Sequence, residues 1–349
     1  MSKTLRIGLI GAGGIARAVH IPGWNAVPNA EIVAVCDVQQ ATAERLAGDF
    51  SIPQVFTDFR DLVKLDLDAV DICTPNRVHT PAVLAALGAG KHVLCEKPLA
   101  VSTREVKAMA AAAKKAKRLL MTAQHIRFTD KITALKGFEQ SGIIGDFYHA
   151  RVHAVRRNLL PTSPGFIDDR LSGGGPCMDI GVHALDSALH IMGFPKPVRV
   201  TGKTAVNFAK GNDIPGAWGE WDRTLFGVED FASGFVHFEN GATMVLEASW
   251  LQHQTEGEDF SFHLFGKKGS VQWPSNTYSS AVNRVLIDGK VVPTAGLKAP
   301  HTEEILAFAK AIREKKTSPV PVEQTLIVIA ILEGIYQSAK AGREVRIKL

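Results

Sequence analysis

Leu5-Arg-Ile-Gly-Leu-Ile10-Gly11-Ala-Gly13-Gly14-Ile15-Ala16 decides how this chain is read. A short apolar run breaks into a glycine-rich turn and then into a helical pattern, the layout of the first strand, turn and helix of a Rossmann unit. The small residues have separate tasks. Gly11 permits the tight turn, Gly13 lets the backbone approach a pyrophosphate, and Ala16, in place of a third glycine, allows close helix–strand packing. Gly14 and Ile15 open the helix, whose free N–H groups and positive dipole end face the phosphates. A GxGxxA match alone is weak, but context strengthens it. A second apolar run, Glu31-Ile-Val-Ala-Val-Cys36, ends in Asp37, roughly 20 residues beyond the glycines, where a carboxylate accepts from the adenosine ribose 2′-OH. That carboxylate would repel a 2′-phosphate, and Val38 offers no arginine to compensate. The expected cofactor is therefore NAD rather than NADP.

The chain has 349 residues, enough for two domains of ordinary size. Charged residues make up 21% and the hydrophobic class 46%, the composition of a globular protein. No run approaches the roughly 18 apolar residues of a membrane span, and Ser2-Lys3-Thr4 leads straight into the first strand. Cys36, Cys73, Cys95 and Cys177 form no C-x-x-C pair and read as reduced thiols. The expectation is a cytoplasmic protein. Net charge is +5, with the densest basic run between Lys107 and Arg118 in an alanine-rich helical pattern. No aromatic residue interleaves these charges, so they read as a solvated helix face and not as a nucleic-acid surface.

Up to about residue 122, apolar runs alternate with helical patterns. Candidate strands are 5–10, 32–36, 54–56, 69–73, 92–95 and 119–122, with helices starting near Gly14, Gln39, Phe59, Val78 and Ser102. This alternation implies a doubly wound parallel sheet whose ligands bind at the carboxyl ends of the strands. After a helix near 128–140, long alternating segments follow at 147–156, 198–206, 228–238, 242–250, 260–265, 270–273 and 284–287. Asn240-Gly241 and Asp288-Gly289 read as hairpin turns. The pattern predicts a second, α+β domain with a large, mostly antiparallel open sheet. A helix at 176–192, introduced by Gly173-Gly174-Gly175, precedes much of this sheet. Helices at 301–314 and 322–341 close the chain. The expected division is 1–123 and 124–349, with the terminal helices free to pack back on the first domain.

Three segments are placed to do chemistry. Val93-Leu-Cys-Glu96-Lys97-Pro98 puts a charged pair at the end of an apolar strand. A strand-terminal salt bridge would explain it equally well. Thr74-Pro75-Asn76-Arg-Val-His79 follows the fourth strand as a turn rich in hydrogen-bonding groups, placed to line the cofactor. In Gly173-Gly-Gly-Pro-Cys-Met-Asp179-Ile-Gly-Val-His183-Ala-Leu-Asp186, Asp179 and His183 are four apart and share a helix face. A carboxylate beside a histidine is a general acid/base arrangement. The plainer alternative is a capped helix with a solvated polar face. His183, Asp186 and His190 have spacings a zinc ion tolerates, but no cysteine joins them, and no metal is expected.

GAGGIA at 11–16, TPNRVH at 74–79, CEKP at 95–98 and GGGPCMDIGVHALD at 173–186 together resemble the Gfo/Idh/MocA family of dinucleotide-dependent oxidoreductases. The order and spacing match over essentially the whole chain. The resemblance implies an N-terminal Rossmann domain and a C-terminal domain whose open sheet commonly serves as an oligomer interface. It implies hydride transfer between NAD(P) and a hydroxyl carbon of a sugar, polyol or related compound. It assigns Lys97 to the catalytic centre, and Asp179 and His183 to substrate binding and proton transfer.

Arg127 and His125, His153, Arg156 and Arg157, and the loop charges Asp168, Asp169 and Arg170 are further substrate-binding candidates. Alternation puts His153 and Arg157 on the face opposite Arg156. Trp218, Trp221 and Trp250 are candidate stacking platforms, with core packing the plainer explanation for each. A homodimer or homotetramer is expected through the sheet of strands 228–250 and 260–273, which carry Phe231, Phe235, Phe238, Trp250, Phe262 and Trp273, with one face covering the domain's helices and the other left as a large apolar patch. Two other functions fit the motifs: a glycosidase that oxidises its substrate transiently with tightly held NAD, and a catalytically silent dinucleotide-binding protein. Accumulation of NADH separates the first of these from a dehydrogenase.

Overall fold

The computed structural model describes residues 3–294, 296 and 299–349. Its contacts divide the chain into two compact units. The first comprises 1–100, 104–128 and 297–325, and the second 101–103, 129–296 and 326–349. No single cut separates them. The first unit runs about five residues past the expected 123/124 division and takes back a later segment.

The first unit is built on a six-stranded parallel sheet among the described residues, in the order β3-β2-β1-β4-β5-β6. Its strands are β1 (Leu5–Ile10), β2 (Ala30–Cys36), β3 (Gln54–Phe56), β4 (Ala69–Ile72), β5 (His92–Cys95) and β6 (Leu120–Thr122). Their near-continuous burial is that of strands covered on both faces. Helix α1 runs from the glycine turn as a π-helical stretch, Ala16–His20, and then an α-helical one, Ile21–Asn25. Helices α2 (Gln40–Phe50), α3 (Phe59–Leu62), α4 (Asn76–Gly88) and α5 (Thr103–Ala116) follow their strands. The core joins Ile7, Leu9, Val35, Leu46 and Leu94 to Ile305 and Phe308 of helix α10 (Pro300–Arg313). The order reverses at β1 and β4, so the crevice outside their carboxyl ends is the ligand position.

The second unit holds a nine-stranded sheet in the order β14-β13-β12-β11-β7-β10-β9-β8-β15. Helix α6 (Asp130–Gln140) precedes β7 (Phe147–Arg156). Short helices α7 (Pro164–Ile167) and α8 (Asp169–Ser172) lead into α9. Helix α9 again begins π-helical, Cys177–Gly181, and continues as Val182–Met192. The strands that follow are β8 (Pro197–Ala205), β9 (Phe231–Phe238), β10 (Thr243–Ser249), β11 (Glu258–Gly266), β12 (Gly269–Trp273), β13 (Thr277–Val282) and β14 (Val285–Lys290). Helix α11 (Val322–Ala341) and β15 (Val345–Arg346) end the chain. The described pairings are antiparallel except β7 with β10. Ala150, Val152 and Ala154 are buried with Met244, Leu246 and Ala248, and a Cβ on Gly181 would sit 3.3 Å from that of Ala248, so α9 covers this face.

Two expectations fail in the second sheet. Asp288-Gly289 is not a turn. It pairs with Ser279 and Tyr278 inside the β13–β14 ladder, and the Tyr278 ring occupies the space a Gly289 Cβ would need. The turn is Asn283-Arg284, both with positive φ, as a two-residue hairpin requires. The face left open is also not the large apolar patch expected. Phe238, Trp250 and Phe262 are buried, Trp273 stacks on Phe262, and of the six aromatic residues only Phe235 is an exposed large hydrophobic. Around Phe235 the open face carries His149, Arg151, His153 and His263. No described helix is long and apolar enough to cross a membrane.

Candidate active site

The glycine turn is shaped by its neighbours. Gly11 has φ +97°, and a Cβ there would lie 2.5 Å from the carbonyl oxygen of Cys73. Nothing lies within 4 Å of the Cβ positions of Gly13 and Gly14, so the start of α1 is open, and Ile15 beside it is 39% exposed. Asp37 at the end of β2 is oriented by the backbone. Its Oδ2 accepts from Ala12 N–H at 2.9 Å and its Oδ1 from Gln39 N–H at 2.9 Å. A carboxylate has about four lone-pair sites, so each oxygen keeps one for a ribose hydroxyl. Across the crevice, Thr74 leads into Pro75 and α4, and its buried Oγ1 has no hydrogen-bond partner. An open helix start, an oriented carboxylate and an orphaned hydroxyl at a topological switch point fit NAD.

Beneath this turn lies a buried charge network that sequence reasoning missed. His20, in the π-helical stretch, places Nδ1 2.8 Å from Asp71 Oδ2 and Nε2 2.9 Å from Glu96 Oε1. Trp24 Nε1 donates to the same Asp71 oxygen at 2.7 Å. Burial opposes charge on His20, but the Asp71 carboxylate outweighs it and raises the imidazole well above its ordinary 6.5. Burial likewise opposes ionisation of Glu96, and the hydrogen bond and charge of His20 hold its carboxyl below the usual range. The other Glu96 oxygen, Oε2, accepts from the Lys97 backbone N–H at 3.0 Å. The Lys97–Pro98 bond is cis. Glu96 thus ties the EKP turn to α1 and sits 7% exposed, a position that orients Lys97.

His79 corrects an expectation. It is wholly buried, with Nδ1 2.8 Å from Pro98 O and Nε2 2.9 Å from Thr74 O. It joins the TPN turn to the EKP turn, with both ring nitrogens turned to backbone carbonyl oxygens. Asp71, Cys73 and His20 bring three potential ligand atoms within 4.8 Å of one another. Asp71 Oδ2 already accepts two donors, and burial pushes the Cys73 thiol up to about 12, so the trio reads as a hydrogen-bonded network. His125 stacks on His301 at 3.9 Å, and burial, then His301, lower it to about 3. Arg127 is buried and donates to Gln324 Oε1 at 2.6 Å, tying its turn to the first turn of α11.

In the second unit, the helix bearing Asp179 and His183 is not a solvated face. Asp179 and His183 are each 8% exposed and Asp186 is 1% exposed. Trp250 is fully buried and donates from Nε1 to Asp179 Oδ2 at 3.1 Å, so it fixes the carboxylate and is no stacking platform. The glycine run before α9 is filled by Glu229. Gly175 N–H lies 3.0 Å from each Glu229 oxygen, Cys177 N–H donates to Oε1 at 3.2 Å, and Tyr336 OH donates to Oε1 at 2.7 Å. A Cβ on Gly175 would meet the Glu229 carbonyl oxygen at 2.1 Å, and one on Gly174 the Tyr336 hydroxyl at 2.5 Å. Burial raises the Glu229 carboxyl to about 7 against these hydrogen bonds. The charged pair Glu229-Asp230 at the head of β9 was a readable signal. Tyr336, over a hundred residues away, left none.

The remaining candidates separate. His153 pairs with Asp259 at 2.8 Å on the sheet face opposite α9, away from Asp179, which corrects its placement among substrate residues. Arg156 lies on the α9 face, held by Glu258 at 2.8 Å and lying over the Trp218 ring. Asp168 caps α8 and pairs with Arg170 at 2.7 Å. Trp221 is buried, donating to Ala209 O.

Residues 5–124 match a family model described as an oxidoreductase family with an NAD-binding Rossmann fold, and residues 132–272 match a GFO/IDH/MocA C-terminal domain. The chain is 31% identical over 355 residues to D-glucoside 3-dehydrogenase of Escherichia coli (strain K12), covering 99% of this chain and 98% of that one. It is 28% identical to D-xylose 1-dehydrogenase (NADP(+)) 2 of Haloferax volcanii, over 98% of this chain and 100% of that one. Its fold matches levoglucosan dehydrogenase in complex with NADH, with a TM-score of 0.84 at 24% identity over 99% and 100% of the two chains.

Proposed function

The chain belongs to the Gfo/Idh/MocA family of NAD(P)-dependent oxidoreductases, and from that premise we propose that it moves a hydride between NAD and a secondary hydroxyl or ketone of a sugar, polyol or glycoside. The observation that carries this reading is the Asp179–His183 pair. A carboxylate held by Trp250 stands one helical turn from an imidazole, and both are buried.

NAD, when bound at the glycine turn, Asp37 and Thr74, supplies the hydride acceptor. The protein's residues manage the proton. Removing a hydride from carbon requires a proton to leave the attached oxygen. Neutral His183 takes it on a ring nitrogen, with Asp179 holding the substrate hydroxyl in register. The Lys97 ammonium donates to the same oxygen and stabilises its developing negative charge. In reverse, His183 protonates the ketone oxygen. Glu96 and His79 hold the Lys97 turn, and Glu229 holds the start of the helix that carries Asp179. Asp37 selects NAD over NADP.

We further infer a homodimer or homotetramer through the open face of the nine-stranded sheet, where Phe265 stacks among His149, His263 and Arg151. A monomer by light scattering at micromolar concentration contradicts this. The test of function is a panel of inositols, aldoses and glycosides with NAD. Stoichiometric NADH accumulation with one class supports a dehydrogenase. Hydrolysis of a glycoside without net NADH supports the transient-oxidation glycosidase instead.

A further inference from the structure

Trp218 differs from the other tryptophans. Trp24, Trp221 and Trp250 are buried, each with its indole N–H donated, and Trp273 stacks on Phe262, whereas Trp218 is 52% exposed. A large exposed aromatic needs either a partner or a reason to be held still. This one is held still. The Arg156 guanidinium lies 5.1 Å from its ring centroid, and Arg156 is itself fixed by Glu258, its directly paired neighbour across the β7–β11 ladder. The loop carrying Trp218 is pinned to the segment after β7. Ala217 N–H donates to Asn158 O at 2.9 Å, and Asn158 Nδ2 donates to Pro215 O at 3.0 Å. The turn is tight, because a Cβ on Gly216 would lie 2.5 Å from Gly219 O.

The same segment leads to Asp179. Asn158 pairs with Leu251, whose chain neighbour Trp250 donates to Asp179. Trp218, Arg156, Trp250 and Asp179 all belong to the α9 face of the sheet. Arg156 and Trp250, in adjoining positions of the β7–β10 register, stand between Trp218 and Asp179. That arrangement suits two rings joined by a glycosidic bond.

We propose that Trp218, braced by Arg156, is the platform of an outer subsite that stacks a second ring of the substrate, so that the protein acts on glycosides with a ring-bearing aglycone in preference to free monosaccharides. This rests on the dehydrogenase reading and refines its substrate class. The chemistry is that of a rigid aromatic face against the apolar C–H face of a ring. The cation over the indole steadies the ring, and about half of the residue stays exposed to a ligand. The second ring is either a sugar or an aromatic group, and both offer a flat apolar face.

The test compares methyl β-glucoside, cellobiose and phenyl β-glucoside as substrates of the wild type and of Trp218→Ala. NADH formation is followed, with oligomeric state checked by light scattering. The expected result is a higher kcat/KM for at least one two-ring substrate than for methyl β-glucoside. In Trp218→Ala that advantage falls about tenfold, mainly through KM, while methyl β-glucoside stays within about twofold. A fall confined to cellobiose assigns the subsite to sugar, and one confined to phenyl β-glucoside assigns it to an aromatic aglycone. Equal loss on all three substrates, no loss on any, or a changed oligomeric state overturns the proposal. Indole fluorescence provides a readout separate from turnover. Cellobiose or phenyl β-glucoside should perturb the wild-type emission, and Trp218→Ala should abolish that change. If none of the three glycosides is oxidised, the dehydrogenase reading is decided by the inositols and aldoses, and the fluorescence result still decides the subsite.

Discussion

Two glycine-rich turns open helices in this molecule, and they are completed in opposite ways. At Gly11–Gly14 the space over Gly13 and Gly14 is open, and Asp37 waits beside it with unused lone pairs. At Gly173–Gly175 the backbone N–H groups already hold an anion, the carboxylate of Glu229, and a Cβ has no room. Both helices then run through a five-residue π-helical stretch that carries a buried polar side chain, His20 in one and Asp179 in the other. A helix N-terminus attracts negative charge wherever it occurs. A glycine run therefore announces that backbone N–H groups are presented, and the rest of the fold decides whether a ligand or a distant carboxylate fills them. The open turn binds; the filled turn positions.

Four changes sharpen or break that contrast. The largest effect belongs to the residues the two helices serve. Lys97→Ala should cut turnover about a hundredfold or more, and adding His183→Ala should cost little beyond it, because groups acting on one oxygen are not additive. Multiplying losses would mean that the two act in separate steps.

Next comes the filled turn. Glu229→Gln keeps the size but sets an amide N–H₂ against the donors of Gly175 and Cys177. It should lower turnover roughly tenfold or more while leaving NAD affinity unchanged. The same group sets a pH dependence. Its carboxyl is raised from 4.5 to about 7, so the folded state binds more protons than the unfolded state between those values. The contribution of Glu229 to stability is therefore greatest below pH 4.5, declines as pH rises to about 7 and is flat above. Thermal melts of the wild type and Glu229→Gln should converge toward one difference above pH 7 and diverge across that window. A pH-independent difference would mean that the folded carboxyl is not raised.

Asp37→Ser tests the open turn. The wild type should favour NAD over NADP by about tenfold or more in affinity, and the variant should narrow the gap. Equal NADP binding by the wild type, measured by calorimetry, would remove Asp37 from cofactor selection. The smallest effect is Tyr336→Phe, which deletes one of the hydrogen bonds on Glu229 and should cost about 1 kcal/mol in denaturant unfolding.

The first unit was readable because its chemistry is local. Each apolar run of the parallel sheet is buried on both faces, and the glycines, Asp37, Thr74 and Lys97 all sit at strand ends. The motifs around Lys97, Asp179 and His183 carried the family resemblance, and the two family models match over both halves of the chain. What failed was what depends on register or on distant partners. Asp288-Gly289 has the residues of a turn, yet cross-strand pairing makes it strand and moves the turn to Asn283-Arg284. Strand β13 shows little apolar alternation around Tyr278-Ser279-Ser280, so it was not seen. His79 at a polar turn reads the same whether it faces a ligand or, as here, two carbonyl oxygens. Asp71, a charge inside an apolar strand, was the visible sign of the His20 network, and its meaning required His20 and Glu96 to be seen together.

The measurement that bears most directly on the account is His183→Ala, assayed for turnover and for NAD affinity on the same preparation. Turnover should fall by about two orders of magnitude or more while NAD binds as tightly as to the wild type, because the open glycine turn and Asp37 hold the cofactor. Near-normal turnover with collapsed NAD binding would contradict it, and would make the helix at 177–192 an element of the cofactor site.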